Sequence, residues 1–210
     1  MPHGPRYVKI CGITREADAL LCVEAGASAI GLNFVPTSKR RVDRDTARRI
    51  VEAVAGRVEV VAVVADESPE ALQALRADTG IQWLQLHGDE PPEALARVVP
   101  PVFKAVRIGD AADVAAARLY GGNRLLADAK VAGATGGTGV SFDWELVREL
   151  ARERPLVLAG GLRPDNVAAA VRAVRPFGVD TASGVESFPG IKDPKLVRAF
   201  ILAARAADAT

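Results

Sequence analysis

The sequence predicts an α/β fold, a parallel eight-stranded (β/α)8 TIM barrel with outer helices. Three observations lead there. Short apolar runs alternate with longer amphipathic segments from one end of the 210-residue chain to the other. The apolar runs are continuous, as in strands buried on both faces of a parallel sheet. Eight such βα units succeed one another without interruption, which favours a closed barrel over the alternative, an open doubly wound sheet.

The elements follow in order. Tyr7–Ile10 is the first strand and ends at Cys11-Gly12. Thr14 is placed to cap a helix that runs to about Ala25 and stops at Gly26. Ala29–Asn33 is the second strand, and Asp43 or Asp45 opens a helix through Val54 with Gly56 as its stop. Val58–Val64 is the third strand, and Ser68-Pro69 starts its helix as a cap followed by proline at the first helical position. Gln82–Leu86 and a helix over Pro91–Val98 make the fourth unit; Val102–Arg107 and Ala111–Leu119 make the fifth. Arg124–Ala127 leads to Asp128, a glycine-rich stretch over Val131–Gly139 and a helix around Asp143–Glu153. Leu156–Ala159 with Pro164–Val174, then Gly178–Thr181 with Asp193–Ala206, complete the barrel.

No linker, low-complexity tract or charge block divides the chain, so a single domain over residues 1–210 is expected. The formal net charge of +1 gives no case for nucleic acid or a membrane surface as partner. No apolar stretch reaches the roughly 18 residues of a membrane span, and Met1–Arg6 lacks a signal core. The expected location is the cytoplasm, with the two cysteines, Cys11 and Cys22, reduced. The two histidines, His3 and His87, leave no multi-histidine metal site, and no cofactor or metal is expected.

Barrel active sites are built at the C-terminal ends of the strands. That rule selects Cys11 and Asp128, which follow strands one and six directly. On a ring of eight they stand nearly opposite, an arrangement suited to moving protons in sugar chemistry, with an acid on one side and a base on the other. Position alone leaves Cys11 open between a reactive thiol and a small buried hydrophobe. It leaves Asp128 open between a proton-transfer group and a paired structural carboxylate. A thiol at Cys11 ionises near neutral pH only if its pKa is lowered, and Lys9, two residues earlier on the same strand face, is positioned to help. A carboxyl at Asp128 keeps its proton near neutral pH only if its pKa is raised.

Strands seven and eight end in Ala159-Gly160-Gly161 and Ala182-Ser183-Gly184, and strand six is followed by Gly136-Gly137-Thr138-Gly139. Backbone N–H groups in such turns approach an anion closely, and loops after the last strands commonly hold phosphate in barrels. The expected phosphate contacts are Gly137, Thr138, Gly160, Gly161, Ser183 and Gly184. The basic run Thr37-Ser38-Lys39-Arg40-Arg41 after strand two is either a solvated surface or an anchor for a substrate carboxylate. His87 is left without a role.

These residues carry a resemblance. Val8-Lys9-Ile10-Cys11-Gly12-Ile13-Thr14, Leu84-Gln85-Leu86-His87-Gly88 and Gly136-Gly137-Thr138-Gly139 with Phe142-Asp143-Trp144 resemble the phosphoribosylanthranilate isomerases. So do Ala159-Gly160-Gly161-Leu162 and Val179-Asp180-Thr181-Ala182-Ser183-Gly184-Val185-Glu186 with Pro189-Gly190. The resemblance implies an Amadori rearrangement of N-(5-phosphoribosyl)anthranilate to 1-(o-carboxyphenylamino)-1-deoxyribulose 5-phosphate in tryptophan biosynthesis. It implies Cys11 as general base, Asp128 as general acid and Arg40, with Arg41 a close second, as the anchor of the anthranilate carboxylate. The partner expected is this small-molecule substrate, and the chain is expected to be a monomer or homodimer. Ala159 and Ala182 depart from the serines often seen there, and Gly31-Leu32-Asn33-Phe34 is an unusual second-strand motif. The alternatives are a non-catalytic phosphate-ligand binder and a different sugar-phosphate isomerase on the same barrel.

Overall fold

The computed structural model describes residues 7–129 and 144–207. Eight parallel strands close into a barrel, each hydrogen-bonded to the next and β8 to β1. They are β1 (Tyr7–Cys11), β2 (Ala29–Asn33), β3 (Glu59–Val64), β4 (Trp83–Leu86), β5 (Val102–Ile108), β6 (Leu125–Ala129), β7 (Leu156–Ala159) and β8 (Gly178–Thr181). Outside lie α1 (Glu16–Glu24), α2 (Arg44–Val54), α3 (Pro69–Thr79), α4 (Ala111–Ala117), α5 (Trp144–Glu153), α6 (Val167–Val174) and α7 (Pro194–Ala206). Among the described residues no helix is long and apolar enough to cross a membrane.

Period two along the strands sorts the side chains into two cores. Val8, Ile10, Ile30, Leu32, Leu125 and Leu158 face outward and pack under the helices. Tyr7, Val61, Phe103, Leu126 and Val157 face inward and fill the barrel. An inward position near the C-terminal end of a strand therefore reaches the mouth, and one near the N-terminal end plugs the floor.

At the floor the plug is partly ionic. The Arg124 guanidinium lies 4.4 Å from the centroid of Tyr7 and 4.3 Å from that of Trp83, with Phe103 and Phe177 beyond. Its Nη1 is 2.8 Å from Glu59 Oε1. The Tyr7 hydroxyl donates to the same oxygen, and burial, with the Glu59 carboxylate, pushes the phenol pKa up so that the proton stays in place.

Several helix starts are as the sequence implies. Asp43 caps α2 through Thr46 N, Ser68 caps α3 through Ala71 N, and Asp193 caps α7 through the N–H groups of Lys195 and Leu196. Others differ. Thr14 does not cap α1: its hydroxyl donates to Gly190 O at 2.6 Å, and Arg15 occupies the capping position without a side-chain cap bond. The segment expected as a helix over Pro91–Val98 forms a 3₁₀ helix, Pro92–Arg97. Prolines at 91 and 92 and again at 100 and 101 confine the segment to about two turns. The helix expected from Pro164 begins at Val167, because Asn166 ties the preceding turn by accepting from Arg163 N and donating to Gly161 O. A hairpin not anticipated from sequence, β9 (Glu186–Phe188) with β10 (Ile191–Lys192), follows β8. The glycine-rich stretch after β6, with Gly137 and Thr138, lies outside the described residues.

Candidate active site

Cys11 and Asp128 both occupy inward positions at the C-terminal ends of their strands, β1 and β6. Around the barrel three strand-to-strand steps separate them, through β7 and β8. Their side chains therefore converge on the mouth from nearly opposite walls.

Cys11 is buried. Beneath it Lys9 shares the inward face, as period two requires, and is itself fully buried. The Lys9 Nζ pairs with Asp180 Oδ1 of β8 at 2.9 Å. Burial pulls the Lys9 ammonium down, but Asp180 and Cys11 more than offset it, and the net shift is upward. Lys9 is thus held as a cation against the thiol. The consequence for Cys11 differs from the expectation of a lowered pKa. Burial pushes the thiol up, Lys9 and Lys192 pull it down, Asp180 pushes it up, and the net direction is upward. Desolvation of a thiolate in the barrel outweighs the attraction of nearby ammonium groups.

The second-strand motif now has a reason. Gly31 lies beside Cys11 in the β1–β2 register. A Cβ there would stand 2.7 Å from Cys11 Sγ and 3.0 Å from Lys9 Nζ. Only glycine leaves room for the thiol and the ammonium together.

Asp128 is 37% exposed at its side chain, the more open of the two groups. His87, the inward residue just past β4, brings Nε2 to 3.6 Å from Asp128 Oδ2, too long for a hydrogen bond and close enough to interact. The other ring nitrogen, Nδ1, is 3.0 Å from Gln85 Nε2. With Gln85 donating, the proton of a neutral imidazole sits on Nε2 and faces the Asp128 carboxyl. His87 had no role in the sequence; it is a neighbour of Asp128.

Arg40 reaches the same mouth from the loop after β2. Its stem crosses Gly12, the residue after Cys11, so closely that a Cβ on Gly12 would overlap Arg40 Cδ. The guanidinium is held by Glu186, with Nε to Oε1 at 2.8 Å and Nη2 to Oε2 at 2.6 Å. Arg41 does not share this position: it lies in an isolated bridge with Asn33 and is exposed.

The loops after β7 and β8 interlock. Gly160 and Gly161 have φ of 102° and 68°. Thr181 donates to Leu162 O at 2.7 Å, joining the two loops. Ser183–Val185 forms one 3₁₀ turn, and a Cβ on Gly184 would overlap Leu162 O. The expected phosphate contacts Gly160, Gly161, Ser183 and Gly184 thus stand side by side; Gly137 and Thr138 are not described.

A barrel with a thiol and a carboxyl facing one another across its mouth, and paired glycine loops beside them, is of the class that shifts protons on small substrates. The match to known proteins narrows this. The family model described as N-(5'phosphoribosyl)anthranilate (PRA) isomerase matches residues 8–203, and the chain belongs to that family. It is 48% identical over 202 residues to the N-(5'-phosphoribosyl)anthranilate isomerase of Myxococcus xanthus, covering 94% of this chain and 95% of that one. The crystal structure of phosphoribosyl anthranilate isomerase from Thermotoga maritima superposes with a TM-score of 0.83 at 40% identity, covering 95% of this chain and 98% of that one. A phosphoribosyl anthranilate isomerase solved with reduced 1-(o-carboxyphenylamino)-1-deoxyribulose 5-phosphate gives 0.81 at 38% identity, with coverages of 95% and 98%.

Proposed function

We propose that this protein isomerises N-(5'-phosphoribosyl)anthranilate to 1-(o-carboxyphenylamino)-1-deoxyribulose 5-phosphate, a step of tryptophan biosynthesis, with Cys11 as base and Asp128 as acid. The observation that carries the assignment of roles is the placement of these two groups on opposite walls of one mouth. No cofactor enters the reaction.

The chemistry balances with these two groups. Asp128 gives its proton to the furanose ring oxygen. The bond from that oxygen to the anomeric carbon breaks, and the lone pair of the anthranilate nitrogen forms a C=N bond. The open chain is then a protonated Schiff base. Cys11, as thiolate, takes the proton from the adjacent sugar carbon, and the released electron pair forms the C=C bond of an enolamine while neutralising the nitrogen. A proton moves to the former anomeric carbon as the enol hydroxyl loses its own, and the ketone results.

The remaining parts hold the two ends of the substrate. Gly160, Gly161, Ser183 and Gly184 offer backbone to the phosphate, joined by Gly137 and Thr138 of the preceding loop. Arg40 takes the anthranilate carboxylate. Glu186 takes the Nε hydrogen and one Nη2 hydrogen, so among the described residues one hydrogen on Nη1 and one on Nη2 remain as a second fork for that carboxylate.

The experiment generates phosphoribosylanthranilate in situ and follows loss of its anthranilate fluorescence. Wild type should turn over, and Cys11→Ala should lose at least about a thousandfold in kcat, the order expected for removing a general base. Absence of wild-type turnover in folded protein would reject the reaction; a fully active Cys11→Ala would reject the base. Sedimentation of the same sample reports whether it is a monomer or a homodimer.

A further inference from the structure

Glu186 lies in the hairpin that sequence reading did not anticipate, and its side chain is only 4% exposed although it carries a carboxylate. A buried carboxylate persists when its oxygens are saturated by donors. Here Oε1 accepts from Arg40 Nε at 2.8 Å, Lys192 Nζ at 2.8 Å and Gly190 N at 3.2 Å, and Oε2 accepts from Arg40 Nη2 at 2.6 Å. Lys192 is fully buried at its side chain and also donates to Ala182 O at 3.0 Å, directly before Ser183-Gly184.

This arrangement has two consequences. Two cations share one carboxylate, so a positive charge is left over for an anionic ligand. And the guanidinium, on a long flexible stem, is fixed in rotation by a bidentate clamp on its inner edge. Its outer fork is thereby aimed in advance, and less ordering remains to be done when a carboxylate arrives. The same clamp ties the Arg40 loop, after β2, to the β8 loop that holds Ala182 and Ser183.

We propose that Glu186 is a positioning residue for specificity: by clamping Arg40 from the side away from the substrate, with Lys192 holding it in turn, it makes the site select an aromatic amine that carries an ortho carboxylate. The inference rests on the reading of Arg40 as the carboxylate anchor.

The test compares kcat/KM for N-(5'-phosphoribosyl)anthranilate with that for N-(5'-phosphoribosyl)aniline, which lacks only the carboxylate. The ratio of the two is measured in one preparation, so it does not depend on how much of a variant is folded. Wild type should prefer the carboxylate substrate by at least about a hundredfold, the order of one charged bidentate contact. Arg40→Ala should bring the ratio close to unity. Glu186→Gln, which keeps the shape but presents an amide to the guanidinium, should lower it about tenfold or more, chiefly through KM of the carboxylate substrate. In the double variant, Glu186→Gln should change nothing further. A wild-type ratio near unity would reject the carboxylate anchor and the clamp with it. A large wild-type ratio, abolished by Arg40→Ala but unchanged by Glu186→Gln, would keep the anchor and reject the clamp. An effect of Glu186→Gln that persists in the Arg40→Ala background would also reject it, since Glu186 would then act by another route.

Discussion

Burial and charge act on Cys11 in opposite directions, and burial wins. The thiol sits above its ordinary range despite Lys9 and Lys192 nearby. The proposed reaction starts with Asp128 protonated and Cys11 ionised, so the pair must hold one proton between them. The thiol, pushed up by burial, keeps its proton through neutral pH. That proton is lost only when the thiol itself titrates. The kcat/KM profile should therefore be flat through neutrality and decline above about pH 8.5, the ordinary thiol value. An alkaline limb well below that value would mean that the ammonium groups, not burial, dominate the thiol. Period two along β1 already places Lys9 under Cys11 in the sequence. The sign of the net shift was not legible there, because it depends on how completely the barrel excludes water.

At the scale of elements, the site depends on how loops are tied to one another. The β7 and β8 loops approach so closely that Gly184 has no space for a side chain against Leu162 O. Gly184→Ala must push the two loops apart and displace the Ser183–Val185 turn. We expect KM to rise at least about tenfold, the order of one lost charge-assisted hydrogen bond, with a smaller change in kcat. Stability should fall by about 1–3 kcal/mol, the usual cost of overpacking. A variant with unchanged KM would remove this turn from the phosphate site. Glycines at 160, 161 and 184 were visible in the sequence as a set; the contact that makes Gly184 obligatory was not, since Leu162 lies 22 residues earlier. Thr14 teaches the same lesson. Local rules make it a helix cap, yet its hydroxyl donates to Gly190 O in the hairpin that follows the neighbouring strand β8. A tertiary acceptor outcompetes the capping bond, and no local pattern signals it.

For the whole molecule, function and stability occupy opposite ends of one barrel. The floor holds Arg124 among Tyr7, Trp83 and Phe103, paired with Glu59, far along the strands from Cys11 and Asp128. Arg124→Met fills much of the volume but removes the cation from the rings and leaves the partly buried Glu59 without its ion pair. The expected loss is about 3 kcal/mol, read by urea titration, from broken pairing and cation–π contact together. Because the proposed site lies at the other end of the barrel, kcat and KM should stay at wild-type values wherever the variant is folded. A change in KM without a change in stability would contradict this division of labour.

The sequence by itself determined the eight strands of the parallel barrel and the residues that stand at its C-terminal rim, because alternation of apolar runs and helix stops is local information. It also made Cys11 and Asp128 candidates, since each stands at a strand end, and placed a basic run holding Arg40 in the loop after the second strand. Only the tertiary structure decided who faces whom: Gly31 against the thiol, His87 beside Asp128, Glu186 and Lys192 behind Arg40, Arg124 within its ring of aromatics. These contacts join residues far apart in the chain. Their energies come from burial and from distances of a few ångströms, which barrel closure sets and which no local pattern contains.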